Sequence, residues 1–161
     1  MRPPYVSRLR AGNAPGAGTV AAVMNVEPSE ADRAVRRMLT ELGDTWAVVG
    51  LSQNTGRAAH GVAGVLQRYG KRIVPVHPKA ETVHGERGYA SLADVPFPVD
   101  VVDVFVNSAL AGAVADEAVA IGARGVWFQL GVLDPAAYAR TRAAGVEMVM
   151  DRCPAIEIPR L

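Results

Sequence analysis

The chain has 161 residues, half of them apolar, so it can bury one core and is too short for two domains of ordinary size. Its 17 basic and 16 acidic residues are spread along the sequence and give a formal charge of +1, which argues against a nucleic-acid-binding surface. A single cysteine excludes an intramolecular disulfide and a thiolate-rich metal site, and no apolar run reaches transmembrane length. We therefore expect a cytoplasmic protein that binds no metal and no membrane.

The amino-terminal segment, residues 1–27, is predicted to be a flexible arm. It is rich in Pro, Gly and Ala and lacks the apolar core of a secretory signal. Residues 28–161 are predicted to form a single domain. That domain should begin with a helix, because Ser29 suits an N-cap and Asp32, three residues later, can complete a capping box. Gly43 should end this first helix region.

A strand, a helix and a second strand follow. The first strand, Trp46–Val49, is almost wholly apolar, which is expected when both faces of a sheet are covered. The helix is predicted over Ala58–Tyr69 and the second strand over Ile73–His77. Pro75 cannot donate to a strand ladder, so the second strand should lie at an edge of the sheet.

The second half of the chain repeats this order. Three further strands are predicted at Val99–Val106, Gly125–Leu130 and Glu147–Met150, with helices beginning after the caps Asn107 and Asp134. The last residues are expected to be a short tail. Strands and helices that alternate with short connections predict a Rossmann-like, doubly wound parallel sheet of about five strands, with three α/β/α layers.

The turn after the first strand has the residues of a phosphate site. Gly50, Ser52 and Asn54 allow backbone N–H groups to approach an anion, and the following helix start favours negative charge. Arg57 adds a cation that can pair with a phosphate. The spacing departs from the dinucleotide pattern G-x-G-x-x-G, since Ser52 and Gln53 stand where glycines are expected. An ordinary turn between a strand and a helix would use similar residues.

The end of the second strand, His77-Pro78-Lys79, is the second indication of a ligand. Many NAD-binding units carry an acidic residue there, which binds the ribose hydroxyls. A lysine instead suits a nucleotide with extra negative charge, although an exposed lysine at a strand end is also common.

Taken in order, these motifs resemble the small CoA-binding proteins whose fold is shared with the N-terminal domain of succinyl-CoA synthetase α-subunits. The resemblance covers roughly residues 45–161. The matching segments are Ala47–Ser52 with Arg57, Val76–Lys79, Tyr89–Asp94, Val99–Phe105, Trp127–Gly131 and Asp151–Pro154.

The resemblance implies that coenzyme A, free or acylated, is the ligand. It assigns three sets of contacts: the phosphate turn, the end of the second strand, and the opposite side of the crevice. These are Gly50, Leu51, Ser52, Asn54 and Arg57; Val76, His77, Pro78 and Lys79; and Val106, Asn107 and Ser108.

Catalysis by this chain is not expected. Its histidines have no evident nucleophile to activate, and Asp100 and Asp103, three apart on a strand, face opposite sides. Two other functions stay open: a nucleotide-binding subunit of an acyl-CoA ligase or transferase that works with a partner chain, and an NAD(H)-responsive regulator. A homodimer is equally open.

Two residues near the predicted crevice have more than one interpretation. Cys153 either packs as a small apolar residue after the last strand or forms a mixed disulfide with the CoA thiol. Gln129, in the Trp127–Gly131 segment, is placed to reach the crevice.

Overall fold

The computed structural model describes residues 26–161, so the predicted arm at 1–27 lies almost entirely outside the described residues. Five strands alternate with helices along the chain, and two short 3₁₀ turns complete it. In chain order the elements are α1 (Glu30–Thr40), β1 (Thr45–Val49), α2 (Ala58–Arg68), β2 (Arg72–Val76), a 3₁₀ turn (Leu92–Asp94), β3 (Val101–Val104), α3 (Ser108–Ala120), β4 (Gly125–Phe128), α4 (Pro135–Ala143), β5 (Glu147–Val149), α5 (Pro154–Glu157) and a 3₁₀ turn (Ile158–Arg160).

The five strands form one parallel sheet in the order β2-β1-β3-β4-β5, which confirms the predicted doubly wound fold. β2 lies at the edge, as Pro75 requires. The free side of β2 is covered by Tyr89, whose N–H donates to the Pro75 carbonyl at 2.9 Å and whose carbonyl accepts from His77 N at 3.0 Å. The chain leaves β1 and β3 in opposite directions, so a topological switch point lies between them.

Helices cover both faces of the sheet. On one face α1, α2 and α5 bury a cluster that includes Met38, Leu66, Trp46 and Trp127, the two indole rings lying 5.8 Å apart. On the other face α3 and α4 pack through small alanines onto an apolar layer that includes Phe128. Because both faces are buried, the strands are mostly continuous apolar runs and do not alternate between apolar and polar residues. Among residues 26–161, no helix is both long and apolar enough to cross a membrane.

The first helix starts as predicted. Asp32 N donates to Ser29 Oγ at 3.1 Å and Ser29 N donates to the Asp32 carboxylate at 3.1 Å, which is a complete capping box. After the helix, Gly43 has a φ of +120°, and a Cβ there would lie 2.3 Å from the Asp100 carboxylate. That carboxylate accepts from Thr45 N at 3.0 Å, so the glycine lets the chain pass close to Asp100 as β1 begins.

Several predicted boundaries are wrong. The strands predicted at Ile73–His77, Val99–Val106, Gly125–Leu130 and Glu147–Met150 are observed at Arg72–Val76, Val101–Val104, Gly125–Phe128 and Glu147–Val149. The strand predicted to reach Val106 ends at Val104, because Val49 ends β1 and its carbonyl takes the last bond on this side, from Phe105 N at 2.9 Å. The expected tail after residue 153 instead folds as α5, with Pro154 in its first turn, and packs against α2.

Candidate functional site

A cleft of about 1050 Å³ opens at the carboxyl edge of the sheet, at the switch point between β1 and β3. Open α/β sheets bind their ligands at this place. Its volume lies at the upper end of the range of ligand pockets, which extends to about 1,000 Å³. Its floor is formed by Val49 and Val76, which end β1 and β2, and by Phe105 and Val106, which follow β3.

The first wall is the turn after β1, whose polar side chains bond to the backbone of the turn itself. Gly50 has a φ of +100° and donates its N–H to the Val76 carbonyl at 2.8 Å. Ser52 Oγ accepts from Asn54 N at 3.2 Å, and Asn54 Oδ1 accepts from Gly56 N at 2.9 Å. The turn therefore presents mainly backbone to the cleft, as a phosphate-binding turn does.

The amino terminus of α2 continues this wall. Arg57 is its N-cap residue, and among the described residues no side chain caps the helix there. Ala58 and Ala59, the first two residues of the helix, line the cleft, and the first turn contains no acidic residue. The N–H groups that a helix leaves unpaired at this end, with the helix dipole, favour an anion.

The second wall is the segment after β2. His77 Nδ1 accepts from Lys79 N at 3.1 Å, and Ala80 N donates to the His77 carbonyl at 2.8 Å, which folds His77–Ala80 into a turn. This turn holds Lys79 at the mouth of the cleft, where its side chain is exposed. None of the ion pairs among residues 26–161 includes Lys79 or Arg57. Both cations therefore have their charge available to a ligand.

The third wall is the part that the sequence reading missed. It is one stripe of α3, formed by Leu110, Ala113, Val114 and Glu117, together with the segments Ala90–Leu92 and Leu130–Val132. The i, i+3, i+4, i+7 spacing of the stripe is a signal that the sequence does contain. The buried face of α3 consists instead of small residues, Ala111, Gly112, Ala115 and Ala118.

Most of the predicted contact residues line this cleft. They are Gly50, Ser52, Asn54, Arg57, Val76, His77, Pro78, Lys79, Val106 and Asn107. Two do not. Leu51 is fully buried in the apolar cluster beneath α2. Ser108 Oγ donates to the Gly131 carbonyl at 3.3 Å and accepts from Leu133 N at 3.0 Å, so its hydroxyl holds the loop after β4 against the start of α3.

Gln129 does not reach the cleft, contrary to expectation. It is buried, and its Nε2 donates to Asp103 Oδ1 at 2.7 Å. Asp103 is wholly buried, and among the described residues its Oδ2 has no hydrogen-bond partner. Burial raises the pKa of Asp103 to about 8, opposed only in part by the hydrogen bond from Gln129. The carboxyl therefore carries its proton at neutral pH.

The remaining candidate groups lie outside the cleft. Cys153 is buried in the cluster of α1, α2 and α5 and does not line the cleft, which supports a packing role. The rings of His60 and His84 stack 4.2 Å apart, and His84 Nε2 lies 2.7 Å from the His60 carbonyl oxygen. Within residues 26–161, no group of three or more His, Cys, Asp or Glu side chains could hold a metal ion.

The sequence of this chain matches a known protein family. The sequence profile of the CoA binding domain matches residues 44–159. The uncharacterized protein YneT of Bacillus subtilis (strain 168) is 35% identical over 107 residues, which is 66% of this chain and 79% of YneT.

Solved structures show the same fold. A hypothetical protein from Pyrococcus horikoshii OT3 superposes with a TM-score of 0.74 at 35% identity, covering 81% of this chain and 91% of that one. The dinucleotide forming acetyl-coenzyme A synthetase 1 of Ca. Korarchaeum cryptofilum superposes with a TM-score of 0.60 at 21% identity. The match covers 71% of this chain and 27% of the synthetase, and it is a likeness of fold.

Proposed function

The chain belongs to the CoA binding domain family, and on that premise we propose that residues 28–161 form one domain that binds coenzyme A, free or acylated, in the cleft between β1 and β3. The observation that carries the proposal is a pair of cations, Arg57 and Lys79, that form no ion pair within residues 26–161 and lie on two walls of one cleft. The same cleft contains a helix start that no described side chain caps. A pocket built in this way suits a ligand with more than one phosphate group.

The groups of CoA match the three walls. Its pyrophosphate lies against the turn after β1 and the first N–H groups of α2, with Arg57 beside it, and Lys79 takes a further phosphate charge. Val76, Pro78, Val106 and Asn107 contact the nucleotide from the strand ends. Leu51 supports the turn from the core, and Ser108 acts by holding the loop after β4.

The same cleft offers little for catalysis. His77 uses its Nδ1 to accept from Lys79 N, and the nearby Ser52 hydroxyl is bonded to Asn54 N. Neither arrangement pairs a nucleophile with a general base. We therefore propose that the domain binds its ligand without transforming it.

Calorimetric titration of the ligand-stripped protein with CoA, 3′-dephospho-CoA and NAD tests the proposal. Replacing Arg57→Ala or Lys79→Ala should each weaken CoA binding by roughly 1.5–3 kcal/mol, because each removes a charge-assisted contact to a phosphate. Arg68→Ala, at the opposite end of α2, is the matched control and should leave the affinity unchanged, since Arg68 does not line the cleft.

Absence of CoA binding would overturn the proposal. Tighter binding of NAD than of CoA would favour an NAD(H)-responsive regulator instead. Equal losses in the Arg68 variant and in the two cleft variants would show that the charges act through the overall field of the protein and form no site.

A further inference from the structure

We propose, on the premise that the cleft binds CoA, that the physiological ligand is an acyl-CoA with an uncharged aliphatic acyl group, and that Leu110 and Leu130 hold the acyl chain.

The α3 stripe gives the cleft two directions. Leu110 lies in the first turn of α3, at the carboxyl edge of the sheet, and Glu117 lies seven residues later, about 10 Å further along the helix axis. One branch of the lining therefore follows α3 from the sheet edge to Glu117 and includes Ala90, Ser91 and Leu92. The other branch stays at the edge of the sheet and is lined by Leu110 and Leu130.

The edge branch contains unusually exposed leucines. Leu110 and Leu130 are each 57% exposed although they line the cleft, and Leu133, beside Leu130, is 50% exposed. The Ser108 hydroxyl fixes their arrangement by bridging the loop after β4 to the start of α3. Large aliphatic side chains left in water around a binding cleft indicate an apolar ligand group that covers them.

The residues of the two branches indicate which end of CoA each branch binds. Glu117 and Ser91 offer acceptors for the amine and hydroxyl groups of adenosine, so the nucleoside fits the branch beside α3. The pantetheine arm then leaves the phosphates along the edge branch, where its thiol or thioester meets Leu110 and Leu130.

The charges of the cleft select the kind of acyl group. Among the described residues, its lining has two permanent cations, Arg57 and Lys79, both at the phosphate site, and one carboxylate, Glu117. In the edge branch, the lining residues that neighbour Leu110 and Leu130 along the chain, Asn107, Gly131 and Val132, are uncharged. A free carboxylate on the acyl group, as in succinyl-CoA, would find no cation there and would lose its hydration. An aliphatic chain would instead bury apolar surface against the leucines.

Calorimetry with three ligands, CoA, hexanoyl-CoA and succinyl-CoA, tests this inference. Hexanoyl-CoA should bind about tenfold more tightly than CoA, since each fully buried methylene improves affinity about fourfold and the chain is covered only in part. Succinyl-CoA should bind no more tightly than CoA. In Leu110→Gln and Leu130→Gln the ratio of the hexanoyl-CoA affinity to the CoA affinity should shrink to about threefold or less.

Ile156→Gln is the matched control, because Ile156 is 42% exposed and lies outside the cleft. That variant should keep the full preference for hexanoyl-CoA. Equal binding of CoA and hexanoyl-CoA by the unmodified protein would overturn the inference and leave the proposed function standing. A preference that survives both leucine substitutions would also overturn it. Binding of none of the three ligands would instead remove the proposed function itself.

Discussion

At the scale of single residues, Asp103 is the clearest conflict between sequence pattern and environment. Asp103 lies among the valines of β3, and a carboxylate buried there needs a hydrogen-bond donor. Gln129, directly after the neighbouring strand β4, supplies it. One amide cannot satisfy a buried carboxylate, so the group keeps its proton and its pKa rises to about 8. Phe105, two residues after Asp103, and Leu130, directly after Gln129, line the cleft, so this buried pair lies close beneath it.

Asp103→Asn should change how stability depends on pH. In the unfolded chain the pKa of Asp103 is near its ordinary 3.8 and in the folded protein it is about 8, so the folded state binds the extra proton between these values. The contribution of Asp103 to the free energy of unfolding is therefore full below pH 4 and is lost as the pH rises to about 8, by up to about 1.4 kcal/mol per pH unit. The Asn variant, which has no proton to lose, should gain stability relative to the unmodified protein across that range.

Urea unfolding at pH 5, 6.5 and 8 measures this difference. Asp94→Asn removes an exposed carboxylate and serves as the control, with a profile parallel to that of the unmodified protein. A parallel profile for Asp103→Asn as well would show that the buried carboxyl does not hold a proton in the folded state.

At the scale of elements, the sequence predicted what depends on neighbouring residues and missed what depends on distant ones. The caps Ser29, Asn107 and Asp134 were predicted because an N-cap side chain bonds to an N–H only three residues away. The strand end at Val104 was missed because it is set by the length of β1. In the site, the segments after β1 and β2 were predicted from local turn chemistry. The contribution of α3 was missed because it depends on where the segments Ala90–Leu92 and Leu130–Val132 lie in the fold.

The helix α2 gives a prediction at this scale. Gly61 lies inside α2, and an added Cβ there would meet no atom within 4 Å. Gly61→Ala should therefore raise the free energy of unfolding by roughly 0.5–1 kcal/mol, because alanine loses less backbone entropy in a helix. Gly70→Ala should have the opposite sign, costing roughly 1–2 kcal/mol, because Gly70 ends the helix at a φ of +94°.

Thermal and urea unfolding of the two variants give the comparison, with CoA affinity as a second readout. Affinity should be unchanged in the Gly61 variant, since the amino terminus of α2 stays in place. A loss of stability in the Gly61 variant would mean that the exposed face of α2 has no room for the added methyl group.

At the scale of the whole molecule, the first helix is tied to the last strand by charge. Arg37 Nη2 lies 2.7 Å from Glu147 Oε2, and Arg142 of α4 binds the other oxygen of the same carboxylate. Arg142 also reaches Glu30 at the start of α1, with its Nη2 2.6 Å from the Glu30 carboxylate. One side chain on β5 therefore joins α1 and α4 on opposite faces of the sheet.

Glu147→Gln should destabilise the protein by roughly 1–3 kcal/mol, since it leaves two arginines close together without their shared carboxylate. The Glu147 side chain is only 13% exposed, so water cannot fully replace it. Asp116→Asn, which breaks the exposed pair with Arg140, is the control and should have little effect. Urea unfolding followed by tryptophan fluorescence compares them, and similar losses in both would mean that Glu147 contributes no more than a surface charge.

The position of α1 also bears on how the chain folds. Of the described elements this helix comes first along the chain, yet it packs against β5, the last of the described strands, and the Arg37–Glu147 bond joins residues 110 positions apart. Contacts between such distant residues form slowly, because the entropy of closing a long loop is lost before the contacts can stabilise the chain. Until β4 and β5 have been made, the apolar side of α1, with Met38 and Leu39, lacks part of the surface on which it packs. The fold therefore closes at its final strand, and the nascent chain needs protection from aggregation until that strand emerges.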